Sequence, residues 1–307
     1  MALDLIGGAE PEQVAAGALD ALAADPALCL LVVGPVSLAA TLFAGAADPL
    51  RWSSIDAGYA ITGSDDPLRT VRSRRDAAVR VAARLVRDGQ ADAMVSAGPV
   101  GATCAAAQFA LRVLPGVARP PFAATVLTPP APLLVDAGAA VDMDAGAFLT
   151  YALLGSGYIR ASHGVTAPRV ALLTGAPELE RLDRTRARAH AALTEAAAAG
   201  LLHFAGTVTG AALTTLDGPE VVVTEGFTGS VLIDALRGAL GRQQGGGVVL
   251  GMEALAVAVQ PSRPAVAEAL VRTAKAHRGG AVGFQRDAVG HLVARRRVAA
   301  GLNEVSP

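Results

Sequence analysis

Two segments of this chain place small residues in a spacing that suits anion chemistry. They are Val95-Ser96-Ala97-Gly98-Pro99-Val100-Gly101-Ala102 and Val223-Thr224-Glu225-Gly226-Phe227-Thr228-Gly229-Ser230. Each reads as an apolar strand that runs into Gly-x-x-Gly and then a helix. Glycines there permit a tight turn and close backbone approach by a ligand, and the free N–H groups of a helix start favour an anion. Parallel sheets bind ligands at the carboxyl ends of their strands. Gly98, Gly101, Gly226 and Gly229 are therefore expected to converge on one cleft, cradling phosphate or a phosphopantetheine arm. The competing reading is tight strand-to-helix packing, and Pro99 removes one donor from the first loop.

Charged candidates stand nearby in sequence. Arg69, Arg72, Arg74, Arg75 and Arg80 form a basic cluster. Arg72, Arg74 and Arg75 just precede a predicted helix, where guanidinium groups could hold phosphate bidentately; the alternative is a solvated loop. Asp136-Ala137-Gly138 closes an apolar strand, with Asp142 and Asp144 following. A carboxylate at a strand end can act as a general base or bind a metal, whereas Asp144 reads better as a helix cap. The five histidines are scattered. Cys104 follows the first glycine loop, as a nucleophile at a helix start or as a small buried hydrophobe.

The elements that must position these residues repeat as strand, glycine turn, helix. Ala2–Ile6 reads as a strand ending at Gly7-Gly8, Pro11–Ala24 as a helix with proline in its first turn, and Cys29–Val33 as an apolar strand. Asp76–Arg87 has helical apolar spacing, and Ala93–Val95, Leu133–Val135, Val170–Leu173 and Val221–Thr224 are short strands. Two long helices are expected at Glu178–Ala199 and Gly226–Arg242, the first with a solvated face of Arg181, Arg184, Arg186 and Arg188. Gly245-Gly246-Gly247 opens a strand-rich last section, and Pro129–Pro132 and Gly279-Gly280 are loops. Continuous apolar strands alternating with helices predict a three-layer α/β fold with a mostly parallel sheet. Residues 1–307 carry no clean linker, so they form one α/β unit or two lobes sharing a cleft.

Composition narrows the function classes. The 307 residues are 52% hydrophobic and 17% charged, with a formal net charge of -1 and 4% aromatics. That balance argues for a large core and against a nucleic-acid surface. The longest apolar runs are strand-sized, so no transmembrane segment is expected, leaving peripheral membrane contact open. Met1–Glu10 has no basic segment followed by an apolar one, so no signal peptide is expected either. Two cysteines, Cys29 and Cys104, with no zinc spacing predict a cytoplasmic chain with buried free thiols and no metal.

Taken in order, these segments resemble the PlsX-type phosphate:acyl-ACP acyltransferase family. The resemblance rests on Asp4-Leu5-Ile6-Gly7-Gly8-Ala9, Ala91 to Ala102, Arg119-Pro120, Leu134 to Asp142 and Val222 to Val231. It implies the phosphotransacetylase/isocitrate dehydrogenase-like fold, a homodimer, and transfer of a fatty acyl group from acyl carrier protein, or from acyl-CoA, to inorganic phosphate for phospholipid synthesis. No metal or redox cofactor is implied. Substrate and phosphate binding would fall to Gly7, Gly8, Arg72, Arg74, Arg75, Ser96, Gly98, Gly101, Asp136, Gly138, Gly226 and Gly229. The chain departs from the family pattern at Ala9, Ala77-Ala78, Pro99, Val100, Ala140, Asp234 and Gln260, where polar or charged residues are usual. A second reading follows: a catalytically degenerate relative that binds a carrier protein or a partner subunit.

Overall fold

The computed structural model describes residues 1–8, 10–126, 131–175, 182–215, 217–241 and 246–299. The strands are β1 (Ala2–Asp4), β2 (Leu30–Val33), β3 (Trp52–Ile55), β4 (Ala93–Ser96), β5 (Phe122–Thr125), β6 (Leu133–Val135), β7 (Arg169–Leu173), β8 (His203–Val208), β9 (Val221–Val223), β10 (Gly247–Val249) and β11 (Leu255–Ala258). They form an 11-stranded sheet in the order β3-β2-β1-β4-β11-β10-β5-β6-β9-β7-β8. The five strands from β3 to β11 are mutually parallel, as are the four from β6 to β8. Between these blocks, β10 is antiparallel to β11 and to β5, and β5 is antiparallel to β6. Three reversals lie between β4 and β6, so the two parallel blocks run in opposite directions.

Helices cover both faces, as strands buried on both sides require. One face carries α1 (Pro11–Ala24), α2 (Val36–Leu42), α6 (Ala145–His163), α7 (Arg184–Ala198), α9 (Arg263–Arg278) and α10 (Ala281–Ala299), packed over a cluster that includes Leu3, Val95, Val135, Leu153 and Leu270. The other carries α3 (Pro67–Ser73), α4 (Ala78–Arg87), α5 (Val100–Ala110) and α8 (Gly226–Ala239), packed over Met94, Leu134, Val222 and Ile233. The predicted three-layer, mostly parallel fold is the observed one.

Local expectations fare unevenly. The α1 and β6 bounds are those predicted, and Asp144 caps α6 through the amide of Ala147 at 2.8 Å. The predicted 178–199 helix is seen from Arg184; Pro129, Pro130, residues 176–181, Arg242 and Gly245 lie outside the described residues. The last section is corrected: β10 and β11 are followed by two long helices, α9 and α10, and the buried Val266, Ala269, Leu270 and Ala274 of α9 follow helical spacing. Cys29 is exposed rather than buried, standing just ahead of β2 between the buried Leu28 and Leu30.

Candidate functional site

The carboxyl edge of the first parallel block is built from glycine. Asp4 of β1 lies opposite Ser96 of β4, which lies opposite Ala258 of β11. Beyond these ends Gly7, Gly8, Ala97, Gly98, Pro99, Val100, Val259, Gln260 and Pro261 enclose a cavity of about 450 Å³, with Thr62 and Gly63 on its rim. Close backbone contact explains the glycines. A Cβ on Gly7 would stand 2.3 Å from Asp4 Oδ2 and 2.8 Å from the Gly98 nitrogen, and one on Gly98 would stand 3.1 Å from the Gly7 carbonyl oxygen. Helix α5 starts at this cavity with Pro99 as its cap, so its first-turn N–H groups face the cavity end of the helix.

A buried polar pair supports that edge from beneath. The Ser96 hydroxyl donates to Asp4 Oδ2 at 2.7 Å and accepts from the Gly98 amide at 3.1 Å. Ser96 therefore braces the Gly98 turn. Burial pushes the Asp4 carboxyl up to about 6, against the Ser96 hydroxyl and the Gly7 and Ile6 amides, which pull it down.

The second glycine loop lies elsewhere. Because β4 and β9 run in opposite directions, their carboxyl ends emerge at opposite edges of the sheet. The expected convergence of Gly98 and Gly101 with Gly226 and Gly229 is thus corrected: the strand count between the loops sets the direction, and three antiparallel pairings reverse it. The chain's own backbone fills the close approach that the second loop allows. Gly226 N–H donates to the Ala140 carbonyl at 2.6 Å, and a Cβ on Gly229 would stand 1.8 Å from the Asp136 carbonyl oxygen.

Asp136 organises this second edge. Its fully buried carboxylate accepts from the amides of Phe122, Gly138, Ala139 and Ala140 at 2.6–3.1 Å. Burial raises its carboxyl above the usual carboxylate range, against those four donors. Gly138 takes φ 135, a conformation that favours glycine. Arg186 belongs here too, not on a solvated face. Its guanidinium donates to Asp183 at 2.6 Å, to the Leu173 carbonyl at 3.1 Å, to Thr224 at 3.3 Å and to Glu225, fixing the start of α8. Arg119 donates to the Asp142 carbonyl at 3.2 Å and, with Arg296, lines a cavity of about 520 Å³. Tyr151 lines it as well, and its buried hydroxyl has no partner among the described residues. Arg296 comes from α10, so only the fold brings it here.

The remaining candidates separate. Gly101 sits in the second position of α5, where a Cβ would stand 3.1 Å from Pro67 of α3. Arg72 is in α3, while Arg74 and Arg75 follow it, and none of the three lines the glycine cavity. Arg74 stacks 3.9 Å over the Tyr59 ring and pairs with Asp76 at 3.4 Å. Cys104 is half-buried in α5; burial, and secondarily the Asp136 charge, push its thiol up to about 12, which favours the small hydrophobe over the nucleophile. Ala9 lies outside the described residues.

The fold is that of a phosphotransacetylase-like α/β protein. An EutD phosphotransacetylase from Staphylococcus aureus superposes with a TM-score of 0.60 at 16% identity, covering 91% of this chain and 93% of that one. A phosphotransacetylase from Streptococcus pyogenes gives 0.60 at 16%, covering 92% and 94%. Sequence comparison is more specific. The model of the family described as fatty acid synthesis protein matches residues 1–243. A phosphate acyltransferase of Syntrophomonas wolfei is 34% identical over 242 residues, 78% of this chain and 74% of that protein. One of Exiguobacterium sp. is 35% identical over 244 residues, 78% and 72%. The chain belongs to the fatty acid synthesis protein family.

Proposed function

We propose that this chain is a phosphate acyltransferase, moving a fatty acyl group from the thioester of acyl carrier protein to inorganic phosphate in the cavity around Gly7, Gly8 and Gly98. The carrying observation is the junction of two glycine turns and the start of α5 at one cavity on the carboxyl edge of β1, β4 and β11. Such a place suits a multiply charged oxyanion. The names of the relatives support the same reaction. A phosphate oxygen attacks the thioester carbonyl, the carbonyl oxygen takes up negative charge against backbone N–H donors, and the carbon–sulfur bond breaks. The thiolate then takes a proton and acyl phosphate leaves. Phosphorus NMR of the wild-type chain with palmitoyl carrier protein and phosphate tests this. One acyl phosphate per thiol released is expected; thiol release without acyl phosphate would refute it.

A specific observation favours slow turnover. Among the described residues that line the cavity, only Thr62 and Gln260 have polar side chains and none is ionisable. Pro99 lacks an N–H and Val100 has no polar side-chain atom, so few donors remain for a developing oxyanion. On this reading the chain works as a cytoplasmic homodimer. No described helix is long and apolar enough to cross a membrane.

A further inference from the structure

Beside the glycine cavity the chain exposes a basic surface that the cavity does not use. Pro67, the first residue of α3, abuts Gly101 of α5, and the Thr62–Gly63 segment that leads to α3 forms the cavity rim. Along α3, Val71 points into the core while Leu68, Arg69 and Arg72 are exposed, and Arg75 follows just past the helix end, also exposed. Leu68 and Arg72 are spaced i, i+4 and Arg69 and Arg72 i, i+3, so they neighbour one another on the exposed side of α3, and Arg75 lies beyond the helix end. Arg72 lies about 8 Å along the axis from Pro67, at 1.5 Å per residue. The cluster begins at the rim.

The charges on this side differ in their engagement. Asp65 accepts from Thr62 and Tyr59, Asp66 caps α3 through the Arg69 amide, and Asp76 pairs with Arg74. Arg80 donates to the carbonyls of Val71 and Arg72. The guanidinium groups of Arg69, Arg72 and Arg75 have no partner among the described residues. Five arginines against three aspartates thus leave a local positive excess on a chain of net charge -1. Leu68, 58% exposed, stands among them.

The shape decides between two anionic occupants. A nucleotide needs a concave site that encloses most of its surface. Arg69 and Arg72 instead lie on the exposed side of α3, Arg75 follows the helix, and none of the three lines a described cavity. An exposed positive patch around one exposed apolar side chain fits the acidic surface of a protein, where charge steers encounter and an apolar anchor seats the contact. We infer that Leu68, Arg69, Arg72 and Arg75 form the docking surface for an acidic protein carrying the acyl thioester, placed so that its prosthetic arm reaches the cavity rim. This inference rests on the acyl-transfer reading. It assigns the selectivity for a protein donor over a coenzyme donor to α3.

The test separates docking from chemistry. Binding of thioester-free holo acyl carrier protein to the full chain is measured across ionic strength, and turnover is compared for palmitoyl carrier protein and palmitoyl-CoA. Arg69→Glu with Arg72→Glu is expected to weaken carrier binding about tenfold at low salt, with the difference shrinking as salt rises. The matching lysine pair is expected to retain most of the affinity, and Arg188→Glu on α7 to change nothing. kcat/KM for palmitoyl-CoA is expected to stay within about twofold. An equal loss with palmitoyl-CoA would mean that the arginines read phosphate groups, and the docking surface would fall. Carrier binding indifferent to charge reversal would also overturn it, even with turnover intact. Charge-dependent carrier binding without any acyl transfer would uphold docking and refute the proposed reaction.

Discussion

Asp4 lies beneath the cavity glycines, and its ionisation is coupled to folding. Its folded pKa is raised from 3.8 to about 6 by burial. The native state therefore binds this proton more tightly than the unfolded chain. The resulting stability is fully present below the unfolded pKa and is lost as pH rises through about 6. Asp4→Asn removes the charge while keeping an oxygen for the Ser96 hydroxyl. Denaturant unfolding at pH 4.5 and 7.5 should show the variant gaining on the wild type at the higher pH, on the order of 1–3 kcal/mol. A pH-independent difference would contradict the assignment. The glycines differ among themselves in the same concrete way. Gly229→Ala meets a backbone oxygen at 1.8 Å and should cost more than about 3 kcal/mol or prevent folding. Gly101→Ala meets only proline ring carbons from 3.1 Å and gains helix propensity, so its change should stay within about 1 kcal/mol. Thermal melts of both variants check the contrast.

At the scale of elements, Arg186 ties α7 to α8. It joins Asp183 ahead of its own helix to Thr224 and Glu225 at the start of α8, with 19% of the Arg186 side chain exposed. Arg186→Ala leaves Glu225 and Asp183 without that partner and should cost about 1–3 kcal/mol, read as a fall of several degrees in Tm. No loss of Tm would return Arg186 to a solvated face. Periodicity alone could not separate that role from the one predicted: one arginine in a run looks like another until a second helix is set against it. Strand and helix identity was legible where apolar runs were short and punctuated, as at Leu133–Val135 and Pro11–Ala24. The edge strands β3 and β8 carry no such signal, because half-exposed sequences such as Trp52–Ile55 and His203–Val208 lack a continuous apolar run. Of the candidate site, Gly7, Gly8, Ser96 and Gly98 do assemble. Strand direction was the hidden variable for Gly226 and Gly229, since β10 and β5 reverse the sheet between segments whose local patterns are alike.

For the whole molecule, membership of the fatty acid synthesis protein family is joined to a cavity whose described lining residues carry no ionisable side chain. Light scattering at micromolar concentration should give a mass near twice the chain's 30.8 kDa; a monomer would contradict the homodimer. The proposed acyl transfer to phosphate at the Gly7–Gly98 edge is slow for want of donors. The most direct measurement is the phosphate-dependent release of thiol from palmitoyl carrier protein, with the wild type beside the Pro99→Asn, Val100→Thr, Gln260→His variant. Release is expected to require phosphate and to run at less than about 1 per second for the wild type. A rise on the order of 100-fold is expected in the variant, the size of one restored oxyanion donor or more. Wild-type turnover that is rapid and unchanged by the three substitutions, or release that ignores phosphate, would contradict it.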